Sequence, residues 1–170
     1  MSYSRRLLNA LNGAASAFVA ISLITLSLLL FSNIIARNVI RHSYIGTETL
    51  AMYLMVWMTF LGAAVIIPKY GHVSVDLLLR MSRTRPWLRR TIGVVMFACA
   101  AIVSCYFFVY CAQLTYVLFQ SPGTEPSLDI SLGYLYLLVT LGAGLMLLNC
   151  LDMLIGLLRG DDTKLPPVIV

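Results

Sequence analysis

The chain has 170 residues, enough for one domain, with 60% hydrophobic residues, only 11% charged residues and a net charge of +5. Soluble domains carry about 45–50% apolar and about 25% charged residues, so a water-soluble globular enzyme is excluded and lipid must replace water as the solvent. The positive balance is no nucleic-acid footprint either, because Arg5, Arg6, Arg80, Arg83, Arg85, Arg89 and Arg90 stand in two short clusters beside apolar runs, where basic residues orient a membrane protein.

Charged residues are absent from Leu7 to Ala36, Thr49 to Pro68, Thr91 to Thr124 and Ile130 to Leu151. Crossing a bilayer takes about 20 apolar residues as a helix, so each stretch holds one span and none holds two plus a turn. Backbone groups in hydrocarbon must be satisfied within their own element, which makes the spans helices. The lack of strict alternation excludes barrel strands. The expected architecture is an all-α integral membrane protein, a single domain of four transmembrane helices spanning about 13–36, 49–68, 88–120 and 130–152.

The first span follows Arg5-Arg6. Its apolar run is too long for a secretory leader and no small-residue cleavage site follows it, so it is expected to stay as an anchor. At its far end Asn33, Arg37 and Arg41 recur at i, i+4 and i+8, one face of a helix. Glu48 opens the second span, where an acid suits the positive end of the helix dipole. Arg37 or Arg41 paired with Glu48 across the short loop is one reading; a polar contact kept for a partner is the other. Gly62-Ala63-Ala64 in the second span and Gly142-Ala143-Gly144 in the fourth allow close backbone approach, either among the four helices or towards another protein.

The connector 69–87 reads as a short amphipathic helix in the membrane interface between the second and third spans. Val75, Leu78, Leu79 and Ser82 fall on one side, with Asp76, Arg80 and Arg83 mostly on the other. Arg80, Arg83 and Arg89 then reach lipid head groups and Trp87 anchors at head-group level; a role in topology alone explains the same arginines. His72 is a lone histidine, a local hydrogen-bonding residue or a pH sensor. Pro86 suits a first helical turn. From there to Gln120 the third helix would run about 50 Å, at ~1.5 Å per residue, and would tilt or project from the bilayer. Ser121-Pro122-Gly123 ends it. Residues 160–170, with Asp161-Asp162 and Pro166-Pro167, read as a flexible tail. Lys and Arg gather at the N-terminus, the 69–87 connector and the tail, against only Arg37 and Arg41 on the opposite side, so both termini are expected in the cytoplasm.

No ionisable residue falls in the middle of a span, whereas pumps and transporters keep such groups for function. His42 and His72 lie in connectors, not as in-membrane haem ligands. Cys99, Cys105, Cys111 and Cys150 sit in apolar runs without a CxxC pair, as inert, reduced thiols do. No catalytic residue, cofactor or metal site is expected, and a scaffold or accessory subunit fits better than a pump. A self-sufficient oligomeric transporter or channel, lined by Asn33 and Gln113, is the alternative; a quinone or haem anchor is a more distant one.

The run Glu48-Thr49-Leu50, then Trp57-Met58-Thr59-Phe60-Leu61-Gly62-Ala63-Ala64, then Lys69-Tyr70-Gly71-His72-Val73-Ser74-Val75-Asp76 resembles the small membrane subunit of tripartite ATP-independent periplasmic (TRAP) transporters. That family has a Glu opening the second span, a W-x-x-F-L-G-A-A-like run, and a basic residue leading into H-[IV]-x-V-D. Lys69 stands where Arg is commoner, and the fourth span lacks the prolines often found there. The resemblance implies a bacterial inner-membrane protein that pairs as a heterodimer with a large membrane subunit carrying substrate and sodium. A periplasmic substrate-binding protein would deliver an organic acid of dicarboxylate, keto acid or sialic acid type. In that reading Arg37, Arg41, Glu48, Trp57, Gly62, Lys69, His72 and Asp76 are structural or interface residues, and none is catalytic.

Overall fold

The structure, a computed structural model, describes residues 2–40, 46–69, 86–121 and 123–159. Helix α1 runs Ser2–Ile35 and continues as a π-helical segment over Ala36–Ile40. Helix α2 covers Thr47–Ile66 and tightens into a 3-10 turn at Ile67–Lys69. Helix α3 covers Pro86–Gln120 and helix α4 covers Leu132–Leu158. All four are long and apolar enough to cross a membrane. The amphipathic interfacial helix expected within 69–87 and the tail 160–170 fall largely or wholly outside the described residues.

Local chemistry sets the ends. Gly46 precedes α2 with φ 98°, a left-handed conformation that costs glycine nothing, and its carbonyl accepts from Leu50 N–H at 2.9 Å. Glu48 lies in the first turn. Pro86 occupies the first position of α3, where its missing N–H is one of the orphan donors anyway. Between α3 and α4 a short antiparallel ribbon pairs β1, Thr124–Glu125, with β2, Ile130–Ser131; Thr124 faces Ser131 and Glu125 faces Ile130. Its turn closes through Leu128 and Asp129 N–H groups donating to Glu125 O. Asp129 adopts φ 53°, tolerated because a short polar side chain suits that region.

The helices form a row in the order α1, α2, α4, α3, in which α2 packs on α1 and α4, and α4 packs on α2 and α3. Helix α4 is therefore buried on two sides. Gly142 admits α2: a Cβ there would meet Phe60 Cβ at 3.0 Å and Leu61 N at 3.4 Å. Gly133 and Gly144 admit α3, against the rings of Phe119 and Phe108. Phe60 of α2 and Phe107 of α3 stack with ring centroids 5.3 Å apart, so rings from the two flanking helices meet beside the glycine-rich stretch of α4. Apolar clusters complete the contacts. Phe97 and Ala101 lie with Cys150, Met153 and Leu157; Ala15 with Ala64, Val65 and Leu145; Leu26 with Ala51 and Leu54.

Candidate functional site

The polar side chains inside this helical row tie the helices to one another at three levels. At the ribbon end, Tyr53 Oη donates to Glu125 Oε2 at 3.1 Å. Trp57 Nε1 donates to Leu135 O at 2.9 Å. The ribbon turn presses on the start of α2, since a Cβ on Gly46 would come within 2.7 Å of Ser127 O.

At mid-depth, Thr140 Oγ1 donates to Tyr136 O at 3.2 Å. Its single proton is thereby committed, so Thr115 of α3 is the donor in the 2.8 Å contact between the two threonine hydroxyls. Ser104 Oγ meets Cys150 Sγ at 3.8 Å.

The densest polar contact lies at the opposite end. Asn12 of α1 and Asn149 of α4 exchange amide hydrogen bonds of 2.9 and 2.8 Å. The second Asn149 N–H donates to Ala64 O of α2 at 2.8 Å. The reason is written into α2. A helical carbonyl accepts from the N–H four residues on, and four residues after Ala64 stands Pro68, which has none. Asn149 fills that vacancy, satisfying both of its own N–H groups and its oxygen while only 1% exposed. In hydrocarbon a carbonyl without a donor costs several kcal/mol, so one proline and one asparagine far apart in sequence fix the seating of α4 on α2.

The residues singled out from sequence fare unequally. Trp57 is drawn into the α2–α4 contact by its indole N–H. Gly62 is half-buried with nothing within 4 Å of where a Cβ would sit, so among the described residues it is not a close-approach position. Gly142 holds that place. Arg37 and Glu48 are both exposed and make no ion pair with each other or with any other described residue. Asn33 and Ala36 are buried, whereas Arg37, near the start of the π-helical segment, is exposed. Asn33 Oδ1 has no hydrogen-bond partner among the described residues. Lys69 closes the 3-10 turn after α2, and Trp87 and Arg89 lie in the first turns of α3. Arg41, His72, Asp76, Arg80 and Arg83 lie outside the described residues.

Asn12, Asn149, Tyr53, Glu125, Thr115 and Thr140 were missed from sequence alone. The available signal was Pro68 inside an apolar run together with neutral amides in two other spans. Among the described residues no group of three or more His, Cys, Asp or Glu side chains is placed to hold a metal. The four cysteines are free, Cys99 and Cys105 exposed and Cys111 and Cys150 buried.

Neither the curated proteins nor the solved structures yield a match to this chain. The family model described as the DctQ component of tripartite ATP-independent periplasmic transporters matches residues 26–160. That match takes in all of α2, α3 and α4 and the C-terminal part of α1, well over half of the chain, on a multi-pass framework of four helices long and apolar enough to span a membrane. The chain belongs to the DctQ component family of tripartite ATP-independent periplasmic transporters.

Proposed function

We propose that the chain is a fixed four-helix frame for the larger membrane subunit of its transporter, and that it takes no part in chemistry or ion coupling itself. The larger subunit would carry substrate and sodium in secondary-active uptake of an organic acid of dicarboxylate, keto acid or sialic acid type. A periplasmic binding protein would deliver the acid. The frame would sit in the bacterial inner membrane with both termini in the cytoplasm, which places the Gly46 and Thr124–Ser131 end on the periplasmic side.

One observation carries this reading: two sets of polar side chains packed between the helices are spent on one another, while Asn33 Oδ1 is the one buried side-chain oxygen left unpaired among the described residues. Asn12, Asn149 and Ala64 O form one closed set and Thr115 with Thr140 another. A translocation path needs polar groups free to bind and release a solute, and groups already paired across helices serve cohesion instead.

The test is affinity purification of the tagged chain, expressed from its native operon, in mild detergent, with mass identification of what accompanies it. A stoichiometric polytopic partner is the expected result. A homo-oligomer without such a partner would overturn the frame reading in favour of a self-sufficient transporter.

A further inference from the structure

Helix α3 carries two seams on opposite faces. The first, Phe97, Ala101, Ser104, Phe108, Cys111 and Thr115, packs on α4 and is buried or half-buried throughout. The second, Ile102, Tyr106, Val109, Gln113, Tyr116 and Gln120, follows alternating steps of four and three residues, the spacing by which one helix meets another along its length. Every residue of this second seam is exposed; Tyr106 is 74% and Tyr116 65% accessible.

Gln113 lies near the centre of the bundle. Two residues on, Thr115 meets Thr140, and two residues further along α4 Gly142 meets Phe60, in the middle part of α2. A primary amide at that depth has two donors and an acceptor, and lipid tails can satisfy none of them; an amide left unpaired in an apolar medium costs roughly 2–7 kcal/mol. Tyrosine usually brings its hydroxyl to a polar partner or to the membrane surface. A soluble binding protein cannot reach this depth. What covers the seam must come from within the membrane and bring its own hydrogen-bonding group.

We infer that the Ile102–Gln120 seam of α3 is the docking surface for a transmembrane helix of the larger membrane subunit, with an amide or hydroxyl of that helix paired to Gln113. The inference rests on the assembly proposed above and adds the face that makes it. A polar residue at one position of such a seam sets the register of the two helices, so Gln113 fixes how far along α3 the partner seats.

The test uses the complex expressed from its operon, with the photo-crosslinking residue p-benzoylphenylalanine replacing Tyr106 or Tyr116, and Leu28 of α1 as the control position. Adducts to the large subunit from both α3 positions but not from the control are expected. In parallel, Gln113→Leu should lower the large subunit retained in detergent about threefold, as the loss of one interhelical hydrogen bond does, while the chain's own unfolding is unchanged. Co-purification without adducts from either α3 position overturns the seam and leaves the frame reading intact. Adducts joining two copies of this chain overturn it as well, making the seam a homo-oligomeric contact. Absence of any large partner from the unsubstituted complex removes the assembly itself.

Discussion

Helices α1 and α4 are built from similar material and treated oppositely by the fold. The most apolar stretch of α1 exceeds that of α4 in mean hydropathy, yet only 11% of it is buried, against 39% for α4. In water the order would be reversed. In lipid an apolar side chain gains nothing by leaving the solvent, so contact is decided by shape and by hydrogen bonds. Helix α4 has the glycines that let backbones approach and the asparagine that supplies a missing donor. Helix α1 offers a narrow seam, Ala15, Ser22, Leu26, Asn33 and Ala36, and leaves Ile21, Leu23, Ile24 and Leu28 exposed.

The sharpest way to break this contrast is at Gly142. Replacing it with leucine drives a side chain into Phe60 and the backbone of Leu61. Gly142→Leu should lower stability by about 3 kcal/mol, read as the midpoint shift when the purified chain is titrated with denaturing detergent. The same change at Gly62, which has open space, should stay within about 0.5 kcal/mol; an equal loss at both sites would refute the assigned close approach.

Asn149→Leu comes next. It strands the Asn12 amide and the Ala64 carbonyl together, for a loss of about 2 kcal/mol in the same titration. The proline argument then sharpens the comparison. Pro68→Ala gives Ala64 a helical donor of its own, so Asn149→Leu should cost about 1 kcal/mol less on that background, measured as a double-mutant cycle. Strict additivity would mean that Asn149 and Pro68 are not coupled.

Thr140→Val removes the acceptor of Thr115 and should cost about 0.6 kcal/mol, the ordinary worth of a hydrogen bond between membrane helices. Smallest of all, Leu28→Ala on the open face of α1, where Leu28 is 64% exposed, should leave the unfolding midpoint within about 0.5 kcal/mol of its original value. A large effect there would show that α1 is covered within the chain after all.

Much of the fold was legible residue by residue. Pro86 and the Ser121-Pro122-Gly123 triplet delimit α3, and Glu48 opens α2. Trp57 was named as a structural or interface residue and the Gly142 triplet as a place of close approach; Trp57 bonds to Leu135 O of α4, Gly142 lies against α2 and Gly144 against α3. Gly62 was chosen by the same small-residue rule and faces open space, because composition reports that a close approach is affordable and not where a neighbour lies. Arg37 was placed on the face of Asn33 by counting fours; the structure buries Asn33 and leaves Arg37 exposed, a difference in depth that counting does not give.

The number of membrane crossings, their helical form and the kinship with a transporter component follow from sequence alone. Each depends on how one continuous segment compares with lipid, or on motifs read along the chain. The order of the helices, the glycine that joins α2 to α4 and the asparagine pair do not. Asn12 and Asn149 are separated by most of the chain, and hydropathy treats each as a small local cost. Only when three helices are side by side does the carbonyl that Pro68 cannot serve meet the amide that can.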